Sequence, residues 1–105
     1  MTASFRQLAL ARPEAQEKTH FGKADFRVNN KIFASLPDAE TGVVKLTPEQ
    51  QEMLMAAEPL VFTPAAGAWG QQGWTRINLK RADAATLKSV LTKAWRNVAP
   101  KSLQS

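Results

Sequence analysis

At 105 residues the chain has room for one domain with an ordinary core and little for a second. It contains no cysteine, which excludes disulfides, thiolate metal sites and cysteine nucleophiles and suits a reducing cytoplasm. Fourteen Lys and Arg against nine Asp and Glu give a net charge of +5, which favours anionic partners, nucleic acid first, with plain solubility as the alternative.

The opening residues hold no apolar run of the signal-peptide kind, and no stretch is long enough to span a bilayer. The expectation is therefore a single cytoplasmic domain over residues 1–105. Thr2 or Ser4 can cap a first helix that carries Phe5, Leu8 and Ala9 on one side, and Pro13 ends it. Residues 17–21 lean towards β and close at Gly22. Asp25-Phe26-Arg27-Val28 and residues 31–36 then flank Asn29-Asn30, a pair that tolerates the left-handed region and suits a two-residue hairpin turn. In that register Phe26 lies opposite Phe33 and Arg27 opposite Ile32. One face of the hairpin is then aromatic, and the other mixes Arg27 with aliphatic residues.

Residues 37–42 read as a loop and 43–46 as the next strand. Thr47-Pro48-Glu49-Gln50 is the clearest local signal, with a cap at Thr47, proline at the first helical position and Gln50 completing a capping box. The helix should stop before Pro59 with Met53, Leu54 and Ala57 inward. Residues 60–62 form a short strand, and a loop over 64–67 delivers Trp69. Two rings flanking Gly70-x-x-Gly73 suggest a tight packed turn feeding a strand. Because that turn opens no helix, it lacks the dipole of a phosphate loop. Trp69 and Trp95 are both expected in the core.

If Thr75, Ile77 and Leu79 face the helices, Trp74, Arg76 and Asn78 point the other way. Asp83 caps the last helix, where Leu87, Val90, Leu91, Ala94, Trp95 and Val98 form one apolar stripe. Lys88, Lys93 and Arg96 lie off the stripe, and Pro100 ends the helix. The order is helix, four strands, helix, two strands, helix. It predicts an α+β domain whose antiparallel sheet of five to six strands carries its helices on one face.

Several segments together resemble the MmcQ/YjbR family. They are Thr19-His20-Phe21-Gly22-Lys23 with Asp25-Phe26-Arg27-Val28, the strand Lys31-Ile32-Phe33-Ala34, and Leu46-Thr47-Pro48-Glu49-Gln50-Gln51. To these are added Trp69-Gly70-Gln71-Gln72-Gly73-Trp74 and the closing Ala94-Trp95-Arg96-Asn97-Val98-Ala99-Pro100-Lys101. The chain departs from the family at Gln71, where a basic residue is frequent. The resemblance implies a CyaY-like fold in α-β4-α-β2-α order, also described as a double wing, and a DNA-binding role.

No reaction is expected. His20 is the only histidine and has no partner base or nucleophile in the sequence, and the carboxylates form no ligand-like cluster. Neither metal nor cofactor is called for. The outer sheet face is the candidate site, because the hairpin register and the alternation of Val44 and Leu46 place Arg27 and Lys45 beside Trp74 and Arg76. Lys80 and Arg81 follow at the end of that strand. These six residues offer cations for phosphates and a ring for stacking, which suits DNA. An acidic protein partner on the same face is the second candidate.

Overall fold

A computed structural model describes residues 2–20 and 22–103, with side chains described for 5–19 and 22–103. The expected caps Thr2 and Ser4 and the ring of His20 lie outside the described side chains, and Phe21 lies outside the described residues. Helix α1 (Thr2–Leu10) is followed by strands β1 (Gln16–His20), β2 (Lys23–Val28), β3 (Lys31–Asp38) and β4 (Thr41–Lys45). Helix α2 (Pro48–Ala57), strand β5 (Phe62–Pro64), short helix α3 (Ala68–Gln71), strand β6 (Trp74–Asn78) and helix α4 (Ala84–Val98) complete the order, before a 3-10 turn at Lys101–Leu103. All strand pairs are antiparallel, in the sheet order β1-β2-β3-β4-β6-β5. The expected α+β architecture is therefore present, with α3 as an addition the sequence reading lacked.

The β2–β3 hairpin turns on Asn29 and Asn30 at φ 51° and 65°, the left-handed pair that a primed two-residue turn requires. Arg27 pairs with Ile32 as expected, but Phe26 pairs with Ala34 rather than Phe33. A bulge causes the shift. It leaves Phe33 unpaired and lets Phe33 and Ala34 both bury, so both phenylalanines enter the core. Strands β3 and β4 also run further than expected and meet in a tight turn. There the amide of Glu40 donates to Asp38 at 2.8 Å, holding that carboxyl below the usual range. Pro37 lacks an N–H to give the ladder, and it sits in the irregular stretch between Ser35 and Asp38.

Helix α2 begins with the full capping box at Thr47 and Gln50. Its inward face differs from the expectation. Met53 is 70% exposed and Ala57 is exposed, while Gln51 is buried and Leu54 and Met55 are half-buried. Met53 to Ala57 form an unbroken apolar run, so hydrophobicity alone does not fix which side turns inward. Gln51 decides it by carrying hydrogen bonds the core needs. Its Nε2 lies 3.1 Å from the Gly70 carbonyl, 3.0 Å from that of Trp74 and 3.1 Å from Thr75 Oγ1. Thr75 in turn donates to the Gly73 carbonyl at 2.9 Å, so these buried polar groups satisfy one another.

Helix α4 is capped by Asp83, whose Oδ1 accepts from the Thr86 amide at 2.7 Å, an interaction that lowers the Asp83 pKa. Leu87, Val90, Leu91, Ala94 and Trp95 bury as the stripe requires, packing on β3 and β4 and against α1. Phe5 of α1 seats its ring over Gly42, where an added Cβ would lie 2.6 Å from the ring. Helices α1, α2 and α4 thus leave the other face of the sheet open.

Candidate functional site

The outer face follows from strand alternation. Along β6, Thr75 and Ile77 bury while Arg76 and Asn78 are exposed and Trp74 is half-buried; along β4, Gly42 and Val44 bury while Val43 and Lys45 are half-buried. A row of directly paired residues crosses the whole sheet through Lys18, Asp25, Ser35, Val43, Arg76 and Thr63. Arg27, Lys45, Trp74 and Arg76 therefore share one face, as the alternation predicted.

They do not form one continuous cationic surface. Arg27 lies on β2, three strands from Arg76 on β6, which is roughly 14 Å at the usual strand spacing. Its guanidinium is committed to Asp25, with Nε to Oδ1 at 2.9 Å and Nη2 to Oδ2 at 3.2 Å. That hydrogen bonding raises the Arg27 pKa further, so the pair is a fixed, mutually neutralised unit. Lys80 meets Glu40 at 3.1 Å, both side chains being well exposed. It lies with Arg81 beyond the Asn78 end of β6, the opposite end from Trp74.

At the Trp74 end the structure does gather a site. Lys45 is the direct cross-strand partner of Trp74, and its Nζ sits 5.5 Å from the ring centroid while donating to the Gln72 carbonyl at 3.0 Å. Trp69 meets Trp74 edge to face, with ring centroids 6.0 Å apart at 75°. This overturns the expectation of a core Trp69, which is 62% exposed. The physical reason is its neighbour. Gly70 is the buried residue of α3, and a Cβ there would stand 2.1 Å from the Ala65 carbonyl oxygen. Only glycine lets that side of the helical turn close on the chain, so the adjacent ring is turned outward.

Between these rings and β2–β3 lies a groove of about 600 Å³. Ile32, Val43, Pro37, Ala65 and the two tryptophans supply an apolar lining, with Arg76, Lys23 and Asp25 as the charged members. Sequence reasoning missed Trp69 and Lys23 here. Lys23 was findable, since it alternates with Asp25 and Arg27 on the same strand. Among the described residues no three of His, Asp and Glu gather to hold a metal ion, and no helix is long and apolar enough to cross a membrane.

A family model described as YjbR matches residues 10–97. Among solved structures, the Deinococcus radiodurans protein DR2400, with a domain described as DUF419, is similar in fold. It superposes with a TM-score of 0.77 at 20% identity, over 92% of this chain and 77% of that one. No curated protein is significantly similar to the chain.

Proposed function

The chain belongs to the YjbR family, and we propose that it binds DNA weakly and with little sequence preference through the outer face of its sheet. One observation carries this reading. Trp74, Trp69, Lys45 and Arg76 gather on the broad face that α1, α2 and α4 leave open, combining cations for phosphate with rings for bases. The net charge of +5 supports the same class of partner. An acidic protein on this face is the second reading, favoured by the apolar lining of the groove.

The pairing of charges sets how many phosphates the face can neutralise. Arg27 and Lys80 already have carboxylate partners, while Lys18, Lys23, Lys45, Arg76 and Arg81 have no ion-pair partner among the described residues. About five phosphate contacts at most correspond to a log–log salt slope of roughly −4.5 on duplex DNA. In a salt titration, Arg76→Ala should flatten that slope by about one contact's worth. The charge-neutral pair Asp25→Asn with Arg27→Gln should leave it unchanged. If the paired change abolishes binding while Arg76→Ala does not, the contact lies at the β2 end instead. Absence of salt-dependent binding to DNA favours the acidic-protein reading.

A further inference from the structure

We propose that the groove beside Trp69 is a stacking slot for an unpaired base, so that the preferred ligand is single-stranded nucleic acid rather than duplex. The inference rests on the nucleic-acid reading of this face and narrows its ligand. A duplex keeps its bases stacked inside and presents phosphates outside, so it rewards a spread of free cations. Two of the cations expected to serve it, Arg27 and Lys80, are held by Asp25 and Glu40, which thins that spread. What the face offers instead is a ring-lined recess of about 600 Å³, within the roughly 300–1,000 Å³ of small-ligand sites.

The recess is suited to a flat, apolar-faced group attached to an anion. Trp69 is a largely exposed ring, and its position is fixed from two sides. Its edge-to-face contact with Trp74 orients the indole, and the close approach of Gly70 to the Ala65 carbonyl fixes the short helix that carries it. A ring held in place loses little freedom when a base stacks on it. Ile32, Val43 and Ala65 give the base an apolar floor, and Arg76 and Lys23 stand at the lining for the flanking phosphates. The carboxylate of Asp25 also lines the recess, but both its oxygens accept from Arg27, which offsets its repulsion of phosphate.

The test is a titration at low salt with three labelled ligands of equal length: a mixed-sequence single strand, the same strand annealed to its complement, and an abasic strand. Wild type, Trp69→Ala and Trp69→Phe are compared; Trp69 is exposed, and far-UV circular dichroism checks that each variant is folded. The expected result is single-strand binding about tenfold tighter than to the abasic strand or the duplex, the size of one stacked base. Trp69→Ala should remove that tenfold margin and Trp69→Phe should retain most of it. Equal binding of the abasic strand, preference for duplex, or an unaffected Trp69→Ala would each overturn the slot while leaving the nucleic-acid reading in place. Absence of binding to all three ligands overturns both.

Discussion

Trp95→Ala is expected to destabilise the domain by about 3–5 kcal/mol in chemical denaturation, the usual range for removing a large aromatic side chain from a core. Trp95 is only 4% exposed and belongs to the core cluster on the inward face of α4. Its indole also donates to the Pro13 carbonyl at 2.9 Å, fastening α4 to the chain just after α1. Truncation therefore removes packed surface and leaves that carbonyl without its donor. The same regions are also tied by the Arg12 guanidinium, which donates to Thr92 Oγ1 at 3.1 Å. A measured loss below about 1 kcal/mol would mean the site collapses around the missing ring without cost, contrary to the packing described.

Gly73→Ala is expected to be comparably damaging, by about 3 kcal/mol or more, for a backbone reason. Gly73 has a φ of 106°, a conformation that side-chain-bearing residues rarely adopt. An added Cβ would stand 1.9 Å from the Leu46 carbonyl oxygen, and neither backbone can rotate away. Relief requires opening the bond from the Leu46 amide to the Gly73 carbonyl, at 3.2 Å, and disturbing the Thr75 and Gln51 network beneath it. Since Trp74 follows directly, the ring should lose its place over Lys45, and oligonucleotide binding should fall with stability. Denaturation and binding measured on the same preparation check both effects. A variant as stable as wild type would show that this corner is softer than its geometry indicates.

Local rules made much of the fold legible. Asn29-Asn30 specifies its turn through the left-handed conformation of two adjacent residues, and Thr47 to Gln50 specifies a helix start through side chains that reach only three positions. Alternation along β4 and β6 placed Lys45, Trp74 and Arg76 on one face because side-chain period in a strand leaves no freedom once one position is buried. The bulge at Phe33 escaped because hairpin pairing alone predicts an unbroken register, whereas the core gains by taking both Phe33 and Ala34. The inward face of α2 escaped for a related reason, since it is set by hydrogen bonds from Gln51 to carbonyls of the Trp69–Trp74 corner, more than fifteen residues away.

The candidate site was legible as a face but not as a charge distribution. Asp25 and Arg27 are two apart in a strand and so point the same way, which is enough to anticipate their pairing. The contact between Lys80 and Glu40 depends on where the β3–β4 turn meets the end of β6, which no local pattern specifies. Trp69 misled because a large ring is usually buried, and its direction is set here by what glycine permits at the next position.

The most direct test of the outer face as the binding surface uses the three tryptophans as reporters. Their indole N–H resonances can be followed while a single-stranded oligonucleotide is added at low salt. Trp69 and Trp74 line the groove, and Trp95 lies buried in the core beneath the opposite side of the sheet. The expected result is that the Trp69 and Trp74 signals shift in a saturable way while that of Trp95 stays in place. Unmoved Trp69 and Trp74 signals, with shifts instead at Trp95 or at the amides of Lys88 and Lys93 on α4, would contradict the assignment and move the binding surface to the helical side.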